Sequence, residues 1–125
     1  MGSFIFRCNS VTFKECLEKN LFGDVEDYLP LMKDLKIGSN VFLYNTSNWQ
    51  LYGVFITQSR AGKYLNSRAW GGKFPAQVKV KALKLTKSIP IEKLKSIIRF
   101  KGIYPDPALS EEQTTKILEV FSKAN

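Results

Sequence analysis

The segment from Ala76 to Leu85 limits the fold more than any other. Ala76, Val78, Val80 and Ala82 share one parity, and Gln77, Lys79 and Lys81 share the other. A strict period of two marks a half-buried β-strand. The parity then reverses, because Leu83 and Leu85 are odd and Lys84 is even. A bulge near Ala82–Leu83 produces that reversal and bends the strand. A bent strand of this kind lets a small sheet curl toward a barrel.

The other elements fit around it. Phe4 to Cys8 reads as a short buried strand, broken by Asn9 and Ser10. Thr12 and Glu15 have capping-box spacing, and Phe13, Cys16, Leu17 and Asn20 share one face of the helix that follows. Gly23 is the expected left-handed stop of that helix. Pro30 splits the next stretch into short helical turns. Val41 to Tyr44 is apolar without alternation, as in a strand covered on both faces, and Asn45 to Asn48 is a hairpin loop leading to a strand at 49–57. Gly53 inside that strand marks a bulge or a close approach by another group. A loop runs from Gln58 to Pro75. Pro90 sits near the start of an expected helix that carries Ile91, Leu94, Ile97 and Ile98 on one face, and Ser110 with Gln113 caps a last helix. The fold class is α+β: one domain over 1–125, with a small, strongly bent sheet flanked by helices.

Charge is distributed unevenly. Residues 59–104 carry twelve basic residues and one acid, whereas 1–58 carry five and six, and 105–125 two and four. One strongly basic face points to an anionic partner, nucleic acid first. The ordinary alternative is a lysine-rich solubilising surface. Fifteen lysines against four arginines favour phosphate attraction over bidentate base reading. The absence of histidine removes Ser-His and Cys-His nucleophile systems and histidine metal sites. Cys8 and Cys16 have no CxxC spacing and read as small buried hydrophobes of a reducing compartment, so an intracellular, cytoplasmic protein is expected. No apolar run is long enough to span a membrane. No metal, cofactor or catalytic residue is assigned.

Four short motifs occur in order. They are Phe22-Gly23, Val41-Phe42-Leu43, Pro75-Ala76-Gln77-Val78 and Pro90-Ile91-Glu92, with Ala69-Trp70 ahead of the third. Together they resemble the development and cell death (DCD) domain family along nearly the whole chain. In that family the first motif continues Leu-Pro, where this chain has Asp24-Val25. More remotely, the element order and the Trp70-Gly71-Gly72-Lys73-Phe74 run resemble the PUA-like group, which includes the YTH and EVE readers of modified bases. That resemblance implies a PUA-like, partly closed barrel. It also implies a pocket in which Phe22 and Trp70 form part of an aromatic cage for one base.

The expected ligand-binding residues are therefore Trp70, Phe22, Asn9, Asn45 and Gln77. Trp70 stacks a base or plugs the barrel end, and Phe22 lines a pocket or sits in the core. Asn9 and Asn45 read base edges or cap turns. Arg60, Lys63, Arg68, Lys73, Lys79 and Lys81 are expected to hold phosphates. The expected function is nucleic-acid binding, single-stranded RNA before DNA, without catalysis. A protein-interaction module and, further off, an amidohydrolase-like enzyme acting on a modified nucleoside are the alternatives.

Overall fold

The computed structural model describes residues 2–124, with backbone alone at 84–86. The strands are β1 (Ser3–Cys8), β2 (Leu21–Asp24), β3 (Asn40–Asn45), β4 (Gln50–Thr57), β5 (Gly62–Lys63), β6 (Ala76–Pro90), β7 (Phe100–Lys101), β8 (Tyr104–Pro105) and β9 (Ala108–Leu109). Helix α1 spans Ser10–Lys19 and α2 spans Glu111–Lys123, with 3₁₀ turns at Glu26–Met32, Ala69–Gly72 and Ile91–Leu94. The sheet order is β2-β6-β4-β3-β1-β9, with β5 also on β6.

β6 makes this sheet a half-barrel. Its first residues pair with β2, from Leu21↔Lys79 to Asp24↔Ala76. From Val80 onward it pairs with β4. Where the alternation reverses, Phe55 pairs with Ala82 but Gly53 pairs with Lys87, so four residues of β6 stand opposite Val54. The expected bulge is there and is larger than one residue. The orientations read for Lys84 and Leu85 fall outside the described side chains.

The apolar run in β3 is covered on both faces. Val41 and Leu43 point into the barrel with Phe4, Phe6, Phe22, Phe55 and Val78. Phe42 and Tyr44 point the other way, to Ile5, Leu51, Ile89, Ile117 and Phe121. A side chain at Gly53 would lie 2.9 Å from both Phe42 and Phe121. The glycine therefore lets α2 approach the sheet, where Phe42 and Phe121 stack at 5.7 Å.

Three local expectations are corrected. The cap of α1 is Asn9, with Thr12 at the third helical position completing the capping box. The left-handed stop is Asn20 (φ 49°), and Gly23 lies within β2. No helix starts at Ser88: Ser88, Ile89 and Pro90 pair with Tyr52, Leu51 and Gln50 of β4. These ladder bonds outweigh the helix-start signal of Pro90. One 3₁₀ turn follows, and Ile91, Leu94 and Ile98 are still buried.

Candidate nucleic-acid interface

The loop from Tyr64 to Phe74 is held by the side chain of Gln77. Its Oε1 accepts from Asn66 N–H at 2.7 Å, and its Nε2 donates to the carbonyls of Asn66 and Phe74 at 3.0 Å each. Gln77 is 0% exposed. It therefore does not share the solvated face of Lys79 and Lys81, because the loop folds over this position. Its polar atoms are consumed by the loop.

Trp70 is likewise internal, at 6% exposure. Its backbone is left-handed (φ 51°, ψ 32°), and its N–H donates to Glu15 Oε2 at 2.6 Å. A side chain at Gly23 would lie 2.5 Å from Trp70 Cζ3, so the indole lies directly on β2. Phe74 meets the indole edge-on at 5.8 Å. The indole N–H has no hydrogen-bond partner within bonding distance among the described residues. It faces the Cys16 thiol and favours its thiolate, but burial dominates and pushes that thiol up to about 12. Burial also pushes the Cys8 thiol up.

Phe22 is a core residue, 0% exposed, packed on Phe6 at 5.6 Å and Phe55 at 4.7 Å. Neighbours in a strand point to opposite faces. Phe22 and the Trp70 ring over Gly23 thus lie on opposite faces of β2 and do not enclose a cavity. Asn45 is buried and caps its turn through Ser47 N–H at 2.9 Å.

Asn9 has a different position. Its Oδ1 accepts from Val11 and Thr12 N–H, both at 2.9 Å. Its Nδ2 donates no hydrogen bond among the described residues, and it borders a pocket of about 260 Å³. Arg7, Thr46, Phe74 and Tyr104 also line this pocket. Arg7 is fixed against Asp24, whose Oδ1 receives its Nη2 at 2.7 Å and whose Oδ2 receives its Nε at 3.3 Å. That bond raises the Arg7 pKa, against the opposing effect of burial. Tyr28 and Tyr104 flank the guanidinium at 4.7 and 5.5 Å. Beyond Tyr104 the pocket adjoins a groove of about 490 Å³ bearing Phe100, Arg99 and Lys101. Sequence reading missed Arg7, Phe74 and Tyr104. The available signal was Arg7 itself, a cation inside an otherwise buried strand.

The expected phosphate contacts divide into groups. Arg68 and Lys79 line one cleft with Lys19. Arg60 borders a separate cleft with Lys33 and Lys36. Lys63 is paired with Glu26 at 3.0 Å. Lys73 and Lys81 are exposed. Among the described residues, no three His, Cys, Asp or Glu side chains are grouped to hold a metal, and no helix is long and apolar enough to cross a membrane.

Solved structures with the same fold include YTH domains. That of Zygosaccharomyces rouxii MRB1, in complex with N6-methyladenosine RNA, matches at TM-score 0.69 and 15% identity, covering 98% of this chain and 88% of the other. The Pho92 YTH domain in complex with m6A matches at TM-score 0.71 and 16% identity, covering 98% and 84%. The half-barrel with flanking helices is therefore the YTH-like α+β fold. Curated relatives include the DCD domain-containing protein NRP-A of Glycine max, 31% identical over 136 residues, and the B2 protein of Daucus carota, 31% identical over 134. They are matched over 100% and 98% of this chain, which spans 36% and 63% of their respective lengths. Residues 2–121 match the family described as Development and cell death domain. By that match the chain belongs to the development and cell death domain family.

Proposed function

We propose that this chain is an RNA-binding module that receives one base, unmodified or modified, in the pocket beside Asn9. The observation that carries the reading is the composition of that pocket. A carboxamide N–H with no partner among the described residues, two aromatic rings and a fixed guanidinium meet in about 260 Å³. That volume is below the ~300–1,000 Å³ of drug-sized sites and suits a single base. Asn9 Nδ2 supplies an edge donor. Tyr104, 44% exposed, supplies a stacking face of a kind worth roughly 1–3 kcal/mol per base. Arg99 and Lys101 in the adjoining groove supply phosphate attraction, and Arg68, Lys73, Lys79 and Lys81 extend it. The YTH structures of the same fold, solved with RNA or m6A, support a base-reading role.

The test is titration of a short single-stranded RNA with adenosine or N6-methyladenosine at one position. Asn9→Ser keeps a good N-cap and removes the edge donor. It is expected to weaken binding roughly tenfold, the scale of one hydrogen bond, without loss of stability. Tyr104→Ala is expected to do the same. Wild-type affinity in both variants would overturn the pocket assignment.

A further inference from the structure

At the far end of α1 a second cleft, of about 640 Å³, opens between the helix, the start of β6 and the loop that Gln77 holds. Its cations are Lys19, Arg68 and Lys79, and no acidic residue lines it. None of the three forms an ion pair among the described residues. They are the last helical residue of α1, a loop residue and an outward β6 residue, so three separate elements bring them to one place. The negative end of α1 also points here, but a helix end counts for about half a charge against three whole ones.

The remaining lining is polar and apolar in a specific arrangement. Asn66 Oδ1 is occupied, accepting from Arg68 and Ala69 N–H at 3.0 and 3.2 Å. Its Nδ2 donates no hydrogen bond among the described residues, and the exposed carboxamides of Asn20 and Gln58 stand on the same cleft. Leu21, Leu65 and Val80 give it an apolar part. A phosphate needs the cations, a heterocyclic edge needs the carboxamides, and a flat ring or sugar needs the apolar surface.

We infer that this cleft is a second site that binds one nucleoside phosphate, either a free nucleotide or a further residue of a bound RNA strand. Helix α1, with ten residues and a length of about 15 Å, separates it from the Asn9 pocket. Simultaneous occupation by one strand rests on the RNA reading above, whereas nucleotide binding by the cleft does not.

The test uses the isotope-labelled chain and amide chemical shifts. Adenosine monophosphate is expected to shift Lys19, Asn66, Arg68 and Lys79 with millimolar affinity, inorganic phosphate the same set more weakly, and adenosine least. Both lysines are exposed, so Lys19→Glu with Lys79→Glu leaves the fold intact and lowers nucleotide affinity at least about tenfold. Adenosine monophosphate that leaves these amides unmoved at about 10 mM, tenfold above a millimolar dissociation constant, would overturn the site. A hexanucleotide distinguishes the sources. Shifts at both Asn9 and Lys79, with the double variant losing only the second set, identify an RNA strand. Nucleotide binding without hexanucleotide binding identifies a free nucleotide and removes the RNA reading alone.

Discussion

Replacing Gln77 with alanine removes three hydrogen bonds at once, at 2.7, 3.0 and 3.0 Å. Each is worth about 1 kcal/mol net, so the direct loss is about 3 kcal/mol. Leaving Asn66 N–H and two carbonyls unpaired adds to it, while Asn66 is only half-buried and water relieves part of the cost. The expected destabilisation is therefore about 2–5 kcal/mol, a large share of the roughly 5–15 kcal/mol that holds a domain together. Urea denaturation reads this as a midpoint lowered by about 1–2.5 M at a slope near 2 kcal/mol per M. Amide exchange should show Asn66 N–H losing its protection. Gln77→Glu keeps the acceptor but turns a carboxylate toward two carbonyls. It should be at least as damaging at neutral pH and partly relieved in acid, where a protonated carboxyl donates one bond. A stability change under about 0.5 kcal/mol with Asn66 still protected would refute the clamp.

Three further outcomes follow from the same structure. Gly23→Ala places a methyl 2.5 Å from Trp70 Cζ3, and overpacking of this kind should cost about 1–3 kcal/mol in thermal denaturation and shift the tryptophan emission. Asp24→Asn leaves the Arg7 charge without its carboxylate beside a buried amide, and should cost about 3 kcal/mol by urea denaturation, the lower end for a broken buried pair. Alkaline pH should destabilise the fold. Cys16, raised by burial from 9.0 to about 12, holds its proton when folded and loses it above pH 9 when unfolded. Its contribution is thus full below about pH 9 and falls by about 1.4 kcal/mol per unit up to about pH 12. Cys16→Ala should flatten its share of that slope.

The bent strand, the hairpin, the cap of α2 and the family were legible in the sequence because each depends on local pattern or short motifs. The interruption at Ala82–Leu83 and the close approach at Gly53 were visible as a parity change and a misplaced glycine. The site was legible only in part. Alternation placed Gln77 with Lys79 and Lys81, but the aperiodic loop just before β6 folds back over that position, and alternation within the strand does not encode such a cover. Phe22 and Trp70 were grouped through the resemblance to the PUA-like base readers. Strand parity puts one inside the barrel and lays the other on the far side of β2. Asn9 was identified for its amide, and its Oδ1 caps α1 while its Nδ2 has no partner among the described residues. Tyr104 lay in a proline-rich connection with no periodicity to mark which way it faces.

The most direct measurement is the salt dependence of binding to a short single-stranded RNA, followed by fluorescence anisotropy. Each phosphate neutralised should contribute a slope of about −0.7 in log affinity against log salt. Contacts from Arg99 and Lys101, and from Arg68 and Lys79 across the second cleft, predict a slope near −2 to −3. Lys79→Glu should reduce that slope, and Asn9→Ser should lower affinity without changing it. No binding at low salt, or binding indifferent to salt, would contradict an RNA-binding role for this basic half-barrel.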